Sequence, residues 1–486
     1  DPDVIRVEDT YYMVSTTMHF MPGCEILQSF DLVHWEHVTY VYETLDHTDA
    51  QQLKSGQNIY GQGMWAASLR YHEGRFCICF VANDTRKTYL YTSEKIDGPW
   101  KKQLIEGFYH DGSLLFDEDG RNYIVYGNDE IWITELNEDL TAPKKGGLHR
   151  LLVSDHKNPE LGYEGSHIQK INGYYYIFLV HSLRDRWMRT EACFYSDSLE
   201  GEFTGGDVLC DDRGYCGQGV AQGGIVDTPD GKWYAMLFQD SGAVGRIPIL
   251  LPVTWKDHFP FFGQNGHVPE EIEVHSTRPG YIYQPLVGSD DFCNGLLPRW
   301  QFNHDPDPRY YHLDALQGTY TITTREVCTE LTQAVNTLTQ RMSYPSCAAE
   351  VTVDASALKE GDVAGLCALQ SCYAAVGITK HHGKYEVLML DKKEDGILDM
   401  TEGTVVESHQ MDFRLEADFC NMKDEARCYY RVNKGDWLPI GTVHKLYFKL
   451  DHFTGCRFGL FCYAAEETGG SACFRDFKYY DVDEIS

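Results

Sequence analysis

The chain has 486 residues, 43% hydrophobic and 13% aromatic, more than one hydrophobic core usually serves, so at least two domains are expected. Its formal net charge of −31 would repel phosphate backbones and anionic headgroups, which argues against nucleic acid and membrane partners and leaves neutral polymers open. No apolar run reaches the length of a membrane-spanning helix. The 16 cysteines lack paired zinc spacing and read as free thiols of a reducing cytoplasm, consistent with no visible signal peptide.

From the start of the chain, five segments share one pattern: an alternating apolar strand, a tight turn and a strand rich in aromatic and β-branched residues. They are DPDVIRVEDTYYMVS, WAASLRYHEGRFCICF, DGSLLFDEDGRNYIVYG, EGSHIQKINGYYYIFLV and QGGIVDTPDGKWYAMLF. The turns fall at Asp9-Thr10, Glu73-Gly74, Asp119-Gly120, Asn172-Gly173 and Asp230-Gly231, and Asn-Gly or Asp-Gly between such strands is a strong hairpin signal. A second phrase closes several units: SFDLVHW, SEKIDGPW and SDSLEGEF. Repeated units of several strands make blades, so residues 1–272 read as a five-bladed β-propeller. Residues 273–288, with their Pro and Gly, read as a linker strap. Residues 289–486 carry antiparallel strand signals without the blade phrase and suggest a two-sheet β-sandwich of jelly-roll or concanavalin-like type. No helix of convincing length is present, and the fold class is all-β.

Eight residues before the first residue of each turn stand Asp1, Trp65, Asp111, Glu164 and Gln222. The first strand of a propeller blade lines the axis, so these positions should converge on one pocket. Cleaving a glycosidic bond needs a proton for the leaving oxygen and an activated water on the opposite face of the sugar. Two carboxyls held apart supply both, a third nearby disfavours a second ionisation, and an indole offers a platform to the C–H face of a sugar. A lone acidic residue before a hairpin would read as edge solvation, but three at equivalent axial positions point to a functional site.

The motifs DPDVIRVEDTYYMVST, GMWAASLRY, HDGSLLFDEDG, EGSHIQKINGYYY and GRIPILLPVTW resemble those of glycoside hydrolase family 43. The second half, from VGSDDF through RFGLFCYAAEETGG, looks like the concanavalin-type sandwich of xylosidase-like members. The resemblance implies that Asp1 is the general base, Glu164 the general acid and Asp111 the carboxylate that orients and modulates the acid. It also implies that Arg246 hydrogen-bonds sugar hydroxyls or holds a carboxylate, and that residues precede Asp1. Many relatives carry a histidine that helps to hold a metal or water where this chain has Gln222. No cofactor is therefore expected to be required, with a calcium ion on the axis left open.

The implied activity is that of an inverting exo-glycosidase releasing xylose, L-arabinofuranose or both from hemicellulose oligosaccharides. Endo-arabinanase and a non-catalytic sugar-binding propeller are the alternatives, and a homo-oligomer is compatible with the sequence. Trp65, Arg246, Phe20 and Gln222 are the expected substrate contacts, Phe20 as a wall of the terminal-sugar subsite with plain packing as the alternative. His110 is placed either to tune Asp111 or to be satisfied by the backbone. Arg189, Thr190 and Glu191 read as a surface ion pair. Trp300 and Trp437 are candidates for a carbohydrate-binding face, although the resemblance favours a sandwich that packs on the propeller and lends a loop to the pocket.

Overall fold

Five four-stranded antiparallel sheets fill residues 3–262 of the computed structural model, which describes residues 1–401 and 403–481. Blade 1 is built from Asp3–Val7, Thr10–Val14, Gly23–Ser29 and Glu36–Tyr42. The first strands of blades 2 to 5 are Met64–His72, Ser113–Phe116, Glu164–Ile171 and Ala221–Asp227. The hairpins of blades 2 and 4 take the two-residue turns their sequences demand, Glu73-Gly74 and Asn172-Gly173 having positive φ at each residue, the conformation that matches strand twist, whereas Asp119-Gly120 and Asp230-Gly231 lie in longer loops at 117–121 and 228–232. In blade 1 the loop is Glu8-Asp9, because Val7 pairs with Thr10, one residue earlier than the sequence pattern suggests. The repeated serine phrase does not close a blade. It links third and fourth strands, where Ser29, Ser93 and Ser196 accept backbone N–H groups two or three residues on.

No strand is exchanged between the first and last blades among the described residues. Side chains close the ring instead: Val4, Tyr11, Met13 and Leu27 pack on Val226, Tyr234 and Met236, and Arg6 pairs with Asp227. Below the axial ring, Arg70 joins four blades. Its guanidinium donates to Asp3 at 2.8 Å in blade 1, to the Leu114 carbonyl and Ser113 hydroxyl in blade 3, and to the Ile168 carbonyl in blade 4. Asp3 is buried and also accepts the Leu69 N–H at 2.7 Å.

The strap runs along blade 1. Thr277 donates its N–H to Phe30, Arg278 pairs with Asp9, the Tyr283 hydroxyl accepts the Phe30 N–H, and Gln284 donates to Glu36. Beyond it two sheets pack face to face, one of nine strands and one of seven, around a core that includes Trp300, Tyr320, Phe413, Phe458 and Phe474. Trp300 is buried and donates to Asp290, which removes it from any sugar-binding face, while Trp437 is covered by the Arg431 guanidinium. All 16 cysteines are unpaired.

The nine-stranded sheet contains a strand from the propeller. Phe20–Met21, in the loop between the second and third strands of blade 1, pairs with Gln301–Asn303 at its edge. Around this junction the seam holds the pair of buried Glu25 with half-buried Arg341 and a cluster of His19, His304, His452 and Tyr60 with ring centroids 4.6–5.1 Å apart. The three histidines are buried. Burial, with Arg457 nearby, lowers His452 to about 3, and His19 and His304 also lie well below their ordinary 6.5. The unfolded chain binds protons on these rings at their ordinary value, so stability is fully present above about pH 6.5 and is lost as the pH falls toward 3. Denaturant unfolding followed from about pH 6 to about pH 5 should show a loss approaching about 1.4 kcal/mol per pH unit for each ring, and His452→Phe should remove one ring's share of that slope.

Candidate active site

The five axial positions do meet at one end of the propeller, and the local backbone explains how. In blades 2, 4 and 5 the first strand is bulged between Met64 and Ala67, Glu164 and His167, and Ala221 and Gly224. Cross-blade hydrogen bonds mark Asp3, Ser68 and Ser113 as equivalent. Asp1 and Asp111 lie two residues before theirs, Trp65 three before Ser68, and the extra bulge residue brings Trp65 to the same level. The count of eight is met in blades 2 and 4 by a bulged strand and a two-residue turn, and in blades 3 and 5 by a strand that stops sooner and a longer loop, at residues 117–121 and 228–232.

Asp1 is fixed from two sides. Thr16 donates its hydroxyl to Oδ2 at 2.9 Å, and Arg246 pairs with Oδ1. Arg246 also donates to Asp240 at 3.2 Å, and Asp240 in turn pairs with Arg189. Burial would raise Asp240, but the two guanidiniums outweigh it and hold the carboxyl below its usual range. The reading of Arg189 as a surface ion pair is thus corrected. Its strand starts inside the propeller wall, where Arg189 is mostly buried and Thr190 and Glu191 are completely so.

Across the ring, Asp111 is buried with φ of 47°, a left-handed conformation that Asp tolerates better than most residues. Its Oδ2 accepts the Gly165 N–H at 3.0 Å. Gly165 has φ of 67°, and a Cβ there would lie 2.7 Å from the Gln222 side chain, so this approach of blades 4 and 5 requires glycine. Glu164 accepts from Asn128 at 2.8 Å, and His110 Nε2 stands 3.6 Å from both Asp111 and Glu164. Burial raises the Asp111 carboxyl, with Glu164 adding to the rise and His110 opposing it. Burial opposes charge on His110, yet Asp111 and Glu164 together lift it to about 9.

Trp65 lies 5.8 Å from His110 and 5.5 Å from Phe453, centroid to centroid. Phe453 belongs to the sandwich, and its ring also lies 4.9 Å from the Arg246 guanidinium. Its loop is held on the propeller by the Cys456 N–H to the Ala243 carbonyl and the Gly61 N–H to the His452 carbonyl. A cavity of about 840 Å³ opens at Asp1, Trp65, Arg246 and Phe453 and continues past Met13, Leu27, Met236 and Leu250 between the first and last blades.

Two expected substrate contacts are placed otherwise. Phe20 borders the cavity but is almost wholly buried, with Arg457 3.8 Å above its ring and its backbone paired to the sandwich; it serves as a strut between domains. Gln222 is buried, packs on Gly165 and donates its N–H to Glu191 at 2.7 Å. For a metal, His110, Asp111 and Glu164 bring one nitrogen and two oxygens within 4.8 Å of one another, the one such group among the described residues. Calcium takes about six to eight oxygens, waters included, and this group would supply two of them. Asp240, Asn128, Thr16 and Phe453 escaped the sequence reading. Asp240 and Arg246 flank a short Gly-containing connection, QDSGAVGR, a signal that was available. Phe453 had none, because it arrives from a distant part of the chain.

Separated carboxyls on a propeller axis, one braced by arginine and one set against a second carboxylate, beside an indole and a phenyl ring, define a glycoside hydrolase. The chain belongs to glycosyl hydrolases family 43, whose model matches residues 1–260, and residues 289–480 match the beta xylosidase C-terminal concanavalin A-like domain. It is 26% identical to a beta-xylosidase of Formosa agariphila over 99% of this chain and 87% of that one. It is 23% identical to the non-reducing end alpha-L-arabinofuranosidase BoGH43B of Bacteroides ovatus over 82% of this chain and 78% of that one. Among solved structures it resembles the bifunctional GH43-CE protein of Bacteroides eggerthii, with a TM-score of 0.91 and 42% identity over 99% of this chain; it spans 62% of that chain.

Glu191 yields a test of how the ring is supported. It is fully buried with no ion-pair partner among the described residues, and burial pushes its carboxyl well above the ordinary range, which favours the uncharged acid. Glu191→Gln, which keeps an oxygen for the Gln222 N–H, should change stability by less than about 1 kcal/mol and preserve activity, whereas Glu191→Ala should cost about 2–3 kcal/mol by unfolding in urea.

Proposed function

We propose that this glycosidase is exo-acting and inverting and releases xylose or L-arabinofuranose from the ends of hemicellulose oligosaccharides, with Asp1 as general base and Glu164 as general acid. The observation that carries the reading is Phe453, which the sandwich sets against Trp65 and Arg246 and which walls one side of the ring. A walled site suits a terminal sugar, whereas an endo-acting enzyme needs a groove open on both sides. Xylose and arabinofuranose offer hydroxyls and a leaving bond in similar positions, and the names of the relatives support that pair.

In this mechanism the Asp1 carboxylate takes a proton from water, held in line by Thr16 and Arg246. Arg246 keeps Asp1 aimed, and Asp240 keeps the guanidinium in place. Glu164 gives its proton to the leaving oxygen from the other face. Asp111, fixed by the Gly165 N–H, sets the position of the acid, and Trp65 stacks on the sugar. Inversion requires room for the water, with carboxyls about 6.5–9.5 Å apart.

Nitrophenyl xyloside and nitrophenyl arabinofuranoside are the first substrates to try, and no turnover of either would overturn the reading. Proton NMR of the first sugar released should show inverted anomeric configuration. Glu164→Ala should lose about 10³-fold in kcat on xylo-oligosaccharides and far less on nitrophenyl glycosides, while Asp1→Asn should lose at least about 10³-fold on both. Mid-length products appearing first from linear arabinan would favour an endo-arabinanase instead.

A further inference from the structure

His110 stands apart from the machinery described so far. Its Nε2 is buried, has no hydrogen-bond partner among the described residues, and lies 3.6 Å from both Asp111 Oδ2 and Glu164 Oε2. The backbone holds it there: its carbonyl accepts the Gly127 N–H at 3.0 Å, and Trp65 packs against its ring. Each of the two oxygens it faces is already engaged from another direction, Asp111 by the Gly165 N–H and Glu164 by the Asn128 amide. The imidazole therefore completes a triangle whose other corners are the two carboxyls.

We propose that His110 is a positioning residue for the proton-donating step, holding Glu164 against Asp111 and facing the charge that develops on Glu164 as its proton leaves. The inference rests on the reading of Glu164 as general acid. The proton moves from the Glu164 carboxyl to the glycosidic oxygen as that oxygen's bond to the sugar carbon breaks and the water deprotonated by Asp1 bonds to the same carbon, and the O–H electron pair stays on Glu164 as carboxylate. No bond forms or breaks at His110. As general acid, Glu164 carries its proton into this step while the His110 ring faces both carboxyls. When Glu164 becomes anionic, the nearest cation already faces it, and no solvent has to reorganise in a buried site.

The charged and titratable groups around the ring are few. Asp111 and Glu164 favour the imidazolium, and Arg86, stacked 3.8 Å from the Phe108 ring, weakly opposes it. The elevation of His110 to about 9 agrees with this arrangement. A ring satisfied by the backbone alone would not present an unpartnered nitrogen equidistant from two carboxyls.

The test compares His110→Phe and His110→Gln with Glu164→Gln, on dinitrophenyl glycosides, whose leaving groups need no proton, and on unactivated xylo-oligosaccharides. His110→Phe is expected to lose about 10²-fold in kcat on the unactivated substrate and less than about 10-fold on the dinitrophenyl glycoside, with KM nearly unchanged. The alkaline limb of its kcat profile should move to higher pH, because a cation that favours the ionised acid has gone. His110→Gln, which keeps a donor without charge, should fall between wild type and His110→Phe, and it carries the test if His110→Phe does not fold. Equal losses on both substrates with an unmoved alkaline limb would assign His110 a merely structural role and overturn the proposal, as would unchanged kinetics. If Glu164→Gln itself shows no dependence on the leaving group, the assignment of the acid fails first, and the two failures are told apart.

Discussion

The Arg70 guanidinium, paired with buried Asp3, is the interaction on which the catalytic end of the propeller depends. A propeller without strand exchange between its ends must hold its blades by side chains, and Arg70 reaches blades 1, 3 and 4 from blade 2. Asp3 lies two residues after Asp1, Ser113 two after Asp111, and Ile168 four after Glu164. Each putting-in-place of a functional carboxyl is therefore anchored within about a turn of chain to the same cation. Removing one partner of such a buried pair would leave the other uncompensated, a cost of about 3–5 kcal/mol, and would loosen three blades at once.

Above that hub the site divides into two electrostatic halves. On one side two arginines and two aspartates alternate from Arg189 through Asp240 and Arg246 to Asp1, a chain in which every charge is met. On the other, two carboxyls and one imidazole share a smaller space in which protons must be distributed. The first arrangement suits a group that must stay ionised and aimed. The second suits one that must hold a proton and then release it. Hydrogen bonding and burial thus give the proposed base and the proposed acid different surroundings.

Much of this was legible in the sequence. Period-two strands, Asn-Gly and Asp-Gly turns and the recurrence of the unit were enough for blades and sandwich, because these features are local. The ring was legible because blade geometry repeats. What the sequence did not disclose depends on contacts between distant segments. Phe20 looked like a loop aromatic free to meet a sugar, but its strand is claimed by Gln301–Asn303. Arg189 looked like a surface charge because nothing near it in sequence says that Asp240 faces it. Phe453 lies more than 380 residues from Trp65, and only the docking of one domain on the other brings the two rings together.

The short strand Phe20–Met21 has a consequence for how such a protein can be recombined. A polypeptide whose first blade donates an edge to a sheet completed hundreds of residues later cannot be divided at the strap into two interchangeable modules. A sandwich grafted from another relative would meet an unmatched edge, and a propeller released alone would expose an apolar strand ready to pair with a neighbour. Any exchange of specificity between relatives by cassette swapping must carry this loop and its receiving strand together, so the heritable unit is the seam and not either domain.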